Sequence, residues 1–167
     1  MSTGITLKSA DLQNLARYML NHWTMGTVAA APALTIGTGS AAKVKIANAI
    51  DYIRAGEPQT QEAAAQEVVL TGSDMAIDTQ CKYLVYIDAD GSPAVARSEV
   101  VAETADEPDL PALPAGGICL GYLKIVNTTN AFVPGTTLLS AAGVTDTYKD
   151  LRWPDSGLSA FSIAGTA

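Results

Sequence analysis

Few residues in this 167-residue chain have a type and spacing that could do chemistry. The single histidine, His22, lies beside Trp23 on a predicted helix. A Ser-His-Asp arrangement would have to use it, yet a lone histidine there is most often a surface or packing residue. No serine stands in the strand–turn–helix context of a nucleophile elbow. Asp88-Ala89-Asp90-Gly91 brings two carboxylates and a glycine together, but a calcium loop needs more oxygen ligands and a terminal glutamate, and only Glu99 is loosely placed. The same residues read better as a hairpin turn, because Asp bonds its own backbone and Gly accepts positive φ. Asp106, Glu107 and Asp109 form a small acidic cluster that suits a solvated linker more than a paired-carboxylate site. Gly116-Gly117 precedes a strand, the wrong context for a phosphate-cradling loop or a dinucleotide fingerprint. Cys81 and Cys119 each open a predicted strand, which favours buried thiols, and two cysteines make neither a disulfide framework nor a zinc site. No catalytic residue, cofactor site or metal ligand is assigned, and an enzyme is not expected.

Charge and hydropathy narrow the partners. Ten basic against 17 acidic residues give a net charge of −7. The lysines and arginines are scattered singly, so there is no basic stripe to release counterions from a nucleic acid. No apolar run is long enough to span a membrane, and the N-terminus lacks the basic and apolar regions of a signal peptide. The expectation is a protein of the reducing cytoplasm with no nucleic-acid or membrane partner, kept soluble by its acidity until it meets a protein partner.

The elements around these residues are mostly short strands. Cys81 to Val126 forms the centre: a strand with Tyr83, Val85 and Ile87 alternating against Leu84, Tyr86 and Asp88, the Asp88–Gly91 turn, and a return from Ser92 to Val101 with Ala94, Ala96 and Val100 on one face. A proline-rich link from Glu107 to Pro114 cannot donate regularly to a ladder and is expected to cross between sheets. Ile118 to Val126 is apolar almost throughout, the signature of burial on both faces. Lys43 to Ile53 fits both periods and is read as a strand, followed by a turn at Ala55-Gly56-Glu57-Pro58. Pro32 demotes any strand in 27–40 to an edge. Asn127 to Asn130 reads as a hairpin tip, with Ala131-Phe132-Val133 returning from it.

At the N-terminus, Leu12, Leu15, Met19 and Trp23 recur at helical spacing after a Ser9 cap, and Gly26 ends the run. This amphipathic helix either packs on the domain's own core or docks on a neighbouring subunit. Trp153, near the C-terminus, would cover an apolar edge. The organisation is therefore an arm and helix over 1–26, a β-rich domain over 27–154 and a tail over 155–167. The fold class is mainly β, a β-sandwich or jelly-roll-like domain with an N-terminal amphipathic helix. Leu12, Leu15, Met19, Trp23 and Trp153 are the candidate protein-interface residues.

Four stretches carry a resemblance. Tyr83-Leu84-Val85-Tyr86-Ile87-Asp88 with Gly91, then Leu113-Pro114-Ala115-Gly116, then Gly121-Tyr122-Leu123-Lys124-Ile125, then Phe132 through Leu151 follow the order seen in a group of tailed-phage virion proteins. The chain resembles head decoration (cement) or head-fibre proteins over about two thirds of its length, the N-terminal helix excepted. The resemblance implies a β-rich, homotrimeric capsid decoration protein that binds the major capsid protein and stabilises the assembled head shell. It would be found on the virion surface, and in the host cytoplasm before assembly. The alternative is a tail or head fibre module that binds a host glycan; it would want exposed aromatics and carboxylates at loop tips, and only Tyr86, Tyr148 and Trp153 are available.

Overall fold

A computed structural model describes residues 32–39, 42–54, 57–61 and 66–150. Among these, the regular structure is entirely β. The helix read over 9–26 and the five candidate interface residues lie outside the described residues.

The largest sheet is built on β6 (Thr79–Ile87) and β9 (Ile118–Asn127), which pair antiparallel along their length. β10 (Val144–Asp150) pairs with the other edge of β9, and β7 (Pro93–Arg97) with the other edge of β6. The two-residue β8 (Val101–Ala102) extends the β7 edge by pairing with Thr79 and Gln80. A second sheet has the order β1 (Leu34–Ile36), β2 (Lys43–Ile46), β5 (Gln66–Val69). A separate hairpin joins β3 (Ile50–Arg54) to β4 (Glu57–Gln61).

The core follows from the alternation of these strands. Cys81, Tyr83, Val85 and Ile87 of β6 point inward, and Val44 and Ile46 of β2 meet them from the smaller sheet. On β9 the pleat changes phase. Val85 pairs with Gly121 and Tyr86 with Cys119, so Leu120 is the extra residue of a bulge. Ile118 and Leu120 are thereby inward on one side of the bulge, and Leu123 and Ile125 on the other. The outward residues Cys119, Tyr122, Lys124 and Val126 are only half-buried. β9 thus buries one face fully, which corrects the expectation of burial on both.

β1 lies beside β10 and β9, and β5 beside β7, so both edges of the smaller sheet meet the two edges of the larger one. Neither seam is a ladder. At the first, the Asp150 carboxylate accepts the N–H groups of Ala33 and Leu34. Gly121 leaves room for both neighbours: a Cβ there would collide with the Lys149 carbonyl oxygen of β10 and stand 2.7 Å from Leu34 Cδ1 of β1. At the second, the Arg97 guanidinium donates to the carbonyl and hydroxyl oxygens of Ser73, just past β5.

Several expectations change in detail. Lys43 to Ile53 is β, but in two strands belonging to different sheets. Glu57 and Pro58 are in β4 rather than in a turn, and Ala55-Gly56 lie outside the described residues. Ser92 to Val101 breaks at Ser98, whose N–H and hydroxyl both bond the Lys82 backbone. Within β7 it is Val95 that packs on the core, while Ala94 and Ala96 share the opposite face with Tyr86 and Leu84. Phe132 bridges to Met75 instead of returning along β9. β1 is an edge strand, as Pro32 implied.

Candidate functional site

The proline-rich link does not pass between sheets. It leaves β8 and enters β9, and both of those strands pair antiparallel with β6, on opposite sides of it. They are therefore parallel to each other, and parallel strands of one sheet require a crossover rather than a turn. The link, residues 103–117, supplies that crossover. It begins at the Thr79 end of β6 and ends where Ile118 pairs with Ile87, so it straps the outer face of the sheet along the length of β6.

Two sets of side chains hold the strap. The Gln80 amide, 3% exposed, donates from Nε2 to the carbonyl oxygens of Ala102, Glu103 and Ala105 at 3.3, 3.2 and 3.0 Å. Further along, Glu107 bridges two lysines: Lys82 Nζ lies 2.9 Å from Oε2, and Lys124 Nζ contacts Oε1. Those lysines come from adjacent strands and stand directly opposite each other in register. Like charges so placed repel, and the carboxylate between them removes the conflict. Lys82 also lies 5.6 Å from the Tyr122 ring centroid, within cation–π range.

The electrostatics suit holding rather than proton transfer. Hydrogen bonds from Lys124 and then Lys82 lower the Glu107 carboxyl to about 2, so it stays ionised far below neutrality. A shallow groove of about 610 Å³ runs beside the strap, between Arg97–Glu99, Val101 and Asp106–Pro111, with Leu110 exposed on its wall. Elsewhere, burial pushes the Cys81 thiol up to about 12 and raises that of Cys119 as well, which removes nucleophilic character from both at neutral pH. The Tyr83 hydroxyl is also pushed up to about 12 by burial.

No family model, curated protein or solved structure matches the chain.

The residues singled out from sequence fare differently. Asp88–Gly91 is a hairpin turn: Asp88 Oδ1 accepts the N–H groups of Asp90 and Ser92, and Gly91 has a φ of +88°. The outward carbonyls of Asp88 and Ala89 receive the Arg54 guanidinium, which docks the β3–β4 hairpin there. Among the described residues, no group of three or more His, Cys, Asp or Glu side chains is arranged to hold a metal ion. Glu107 belongs to the strap's anchorage, whereas Asp106 and Asp109 line the groove. Tyr86 and Tyr148 lie within strands and are half-buried rather than displayed at loop tips. Sequence reasoning missed the Lys82–Glu107–Lys124 bridge. Its one signal was a single lysine set inside each of two apolar strands.

Proposed function

We propose that this chain is a structural protein of a tailed-phage virion, a capsid decoration protein that binds the assembled head shell as a homotrimer and stabilises it. Its two sheets would form the layers of a β-sandwich or jelly-roll-like domain, with residues 1–26 as a helical docking arm. The observation that carries the reading is where the two terminal segments attach. Ala33 and Asp150 are hydrogen-bonded to each other at 3.1 Å, so the first and last described stretches of the domain end side by side. Leu12, Leu15, Met19 and Trp23 on one segment and Trp153 on the other can then act on the same partner surface. Trp153 follows Asp150 by three residues, a reach of roughly 10 Å when extended.

Several of the charged side chains described brace the fold: Asp150 and Arg97 at the seams, Glu107 at the strap, and Arg54, which docks the β3–β4 hairpin. Such a domain serves as a rigid, acidic body that presents docking segments. A ligand that binds only the assembled shell stabilises that state by mass action. Closed three-fold symmetry lets one set of contacts repeat at the local three-folds of an icosahedral shell.

Light scattering on the purified chain should give the mass of a trimer. Added to heads that lack it, the chain should sediment with them and raise the temperature at which they break open. A monomer that ignores such heads overturns the reading, and adhesion to host cells would favour the fibre module instead.

A further inference from the structure

We infer that residues 103–117 are a latched cover: the Glu107 carboxylate clasped between Lys82 and Lys124 holds the strap down, and its release lifts the strap from the sheet without unfolding the domain. The geometry rests on four observations. First, from Asp106 to Leu113 no backbone hydrogen bond ties the strap to a strand; its backbone bonds fall at its ends, Glu103 to Asp78, Ala105 to Ala102 and Gly117 to Pro114. Pro108, Pro111 and Pro114 have no N–H to offer. Second, the middle of the strap is fastened to the sheet by one ionised side chain, Glu107, on two cationic partners. Third, those partners repel each other across β6 and β9, so the latch relieves a conflict within the sheet as well as holding the strap. Fourth, beyond the two lysines the face beneath is apolar. Leu84, two residues beyond Lys82 on the same face, is 3% exposed, and Pro108, next to Glu107, is buried. Tyr86, Tyr122, Ala94 and Ala96 share this outer face and are half-buried.

A strap that lacks a ladder opens at much lower cost than the sheet it covers, because local opening follows the number of hydrogen bonds and buried contacts broken. Cys81 faces the opposite side of β6 and is fully buried, so it stays protected when only the strap moves. This makes the inference testable with thiols. A chain carrying Leu84→Cys and Cys119→Ser holds one thiol beneath the strap and one in the core. Adding Glu107→Gln should speed labelling at position 84 by on the order of ten-fold, while Cys81 in the same molecules stays unlabelled. Salt at about 1 M, where the screening length falls to roughly 3 Å, should speed labelling in the protein with Glu107 and leave the Gln variant unchanged. The same comparison on the chain without either the Leu84→Cys or the Cys119→Ser substitution uses Cys119, opposite Tyr86 on that face, and should move in the same direction. Rates indifferent to Glu107→Gln, or core and outer thiols that label together, would overturn the latch.

Discussion

Asp150, the last residue of β10, holds Leu34, the first residue of β1, by accepting its backbone N–H at 3.0 Å through Oδ1. The second oxygen takes the N–H of Ala33, a residue with a φ of +51°, where side chains other than glycine are uncommon. The turned backbone of Ala33 points two successive N–H groups at one carboxylate. Asp150→Ala leaves both donors without that acceptor and should destabilise the domain by about 1–3 kcal/mol. Urea unfolding checks it: the midpoint should fall with the slope unchanged. Asp150→Asn keeps one acceptor and should recover part of the loss.

Gly121→Ala tests the close approach of β1 to the main sheet. The new methyl would collide with the Lys149 carbonyl oxygen and with Leu34 Cδ1. Overpacking of this kind costs about 1–3 kcal/mol, and backbone contacts raise it. Because one of the two obstacles is backbone, trimming the other should not restore stability. The double variant Gly121→Ala, Leu34→Ala should therefore be less stable than either single variant, measured by thermal melting.

Acid should weaken the fold through two carboxylates. Glu67 accepts the Thr38 side-chain hydroxyl and backbone N–H and pairs with Lys43, which lowers it from 4.5 to about 2; Glu107 is lowered to about 2 as well, by Lys124 first and then Lys82. A carboxyl depressed in the folded chain stabilises that state above its ordinary value, and the contribution fades as pH falls toward the depressed one. Stability should thus be level near neutrality and decline between about pH 4.5 and 2. Glu67→Gln should flatten that limb in a series of urea melts across pH, and the pairing being at the surface, the change should shrink in high salt.

How much of this was legible in the chain depends on the residue. The β reading of Lys43 to Ile53 came from alternation, and Val44, Ile46, Ile50 and Tyr52 are all buried. That alternation stays in phase across Ala47–Ala49, so it could not reveal that the chain changes sheets there. The Asp88–Gly91 turn was readable because its chemistry is local. The strap's composition announced a link, but its destination depended on β8 and β9 flanking β6, a pairing no local pattern encodes. Lys82 and Lys124 meet Glu107 only through the β6–β9 register and the crossover, so the bridge was invisible until both were known. In Ile118 to Val126, a run of apolar residues masked a bulge, and with it the difference between one buried face and two.

The two seams also bear on the order in which the molecule comes apart. Along both, the smaller sheet meets the larger through side chains reaching backbone, Asp150 to Ala33 and Leu34 and Arg97 to Ser73, whereas β6 and β9 share a long ladder broken by one bulge. A boundary closed by two clasps has fewer bonds to break per unit length than a zipper. In native-state hydrogen exchange the amides of β1, β2 and β5 should therefore form one cooperative unit that opens at lower free energy than β6, β9 and β10, which exchange only with global unfolding. Asp150→Ala should lower the opening free energy of that unit first and leave the slowest amides of β9 to follow the global stability alone.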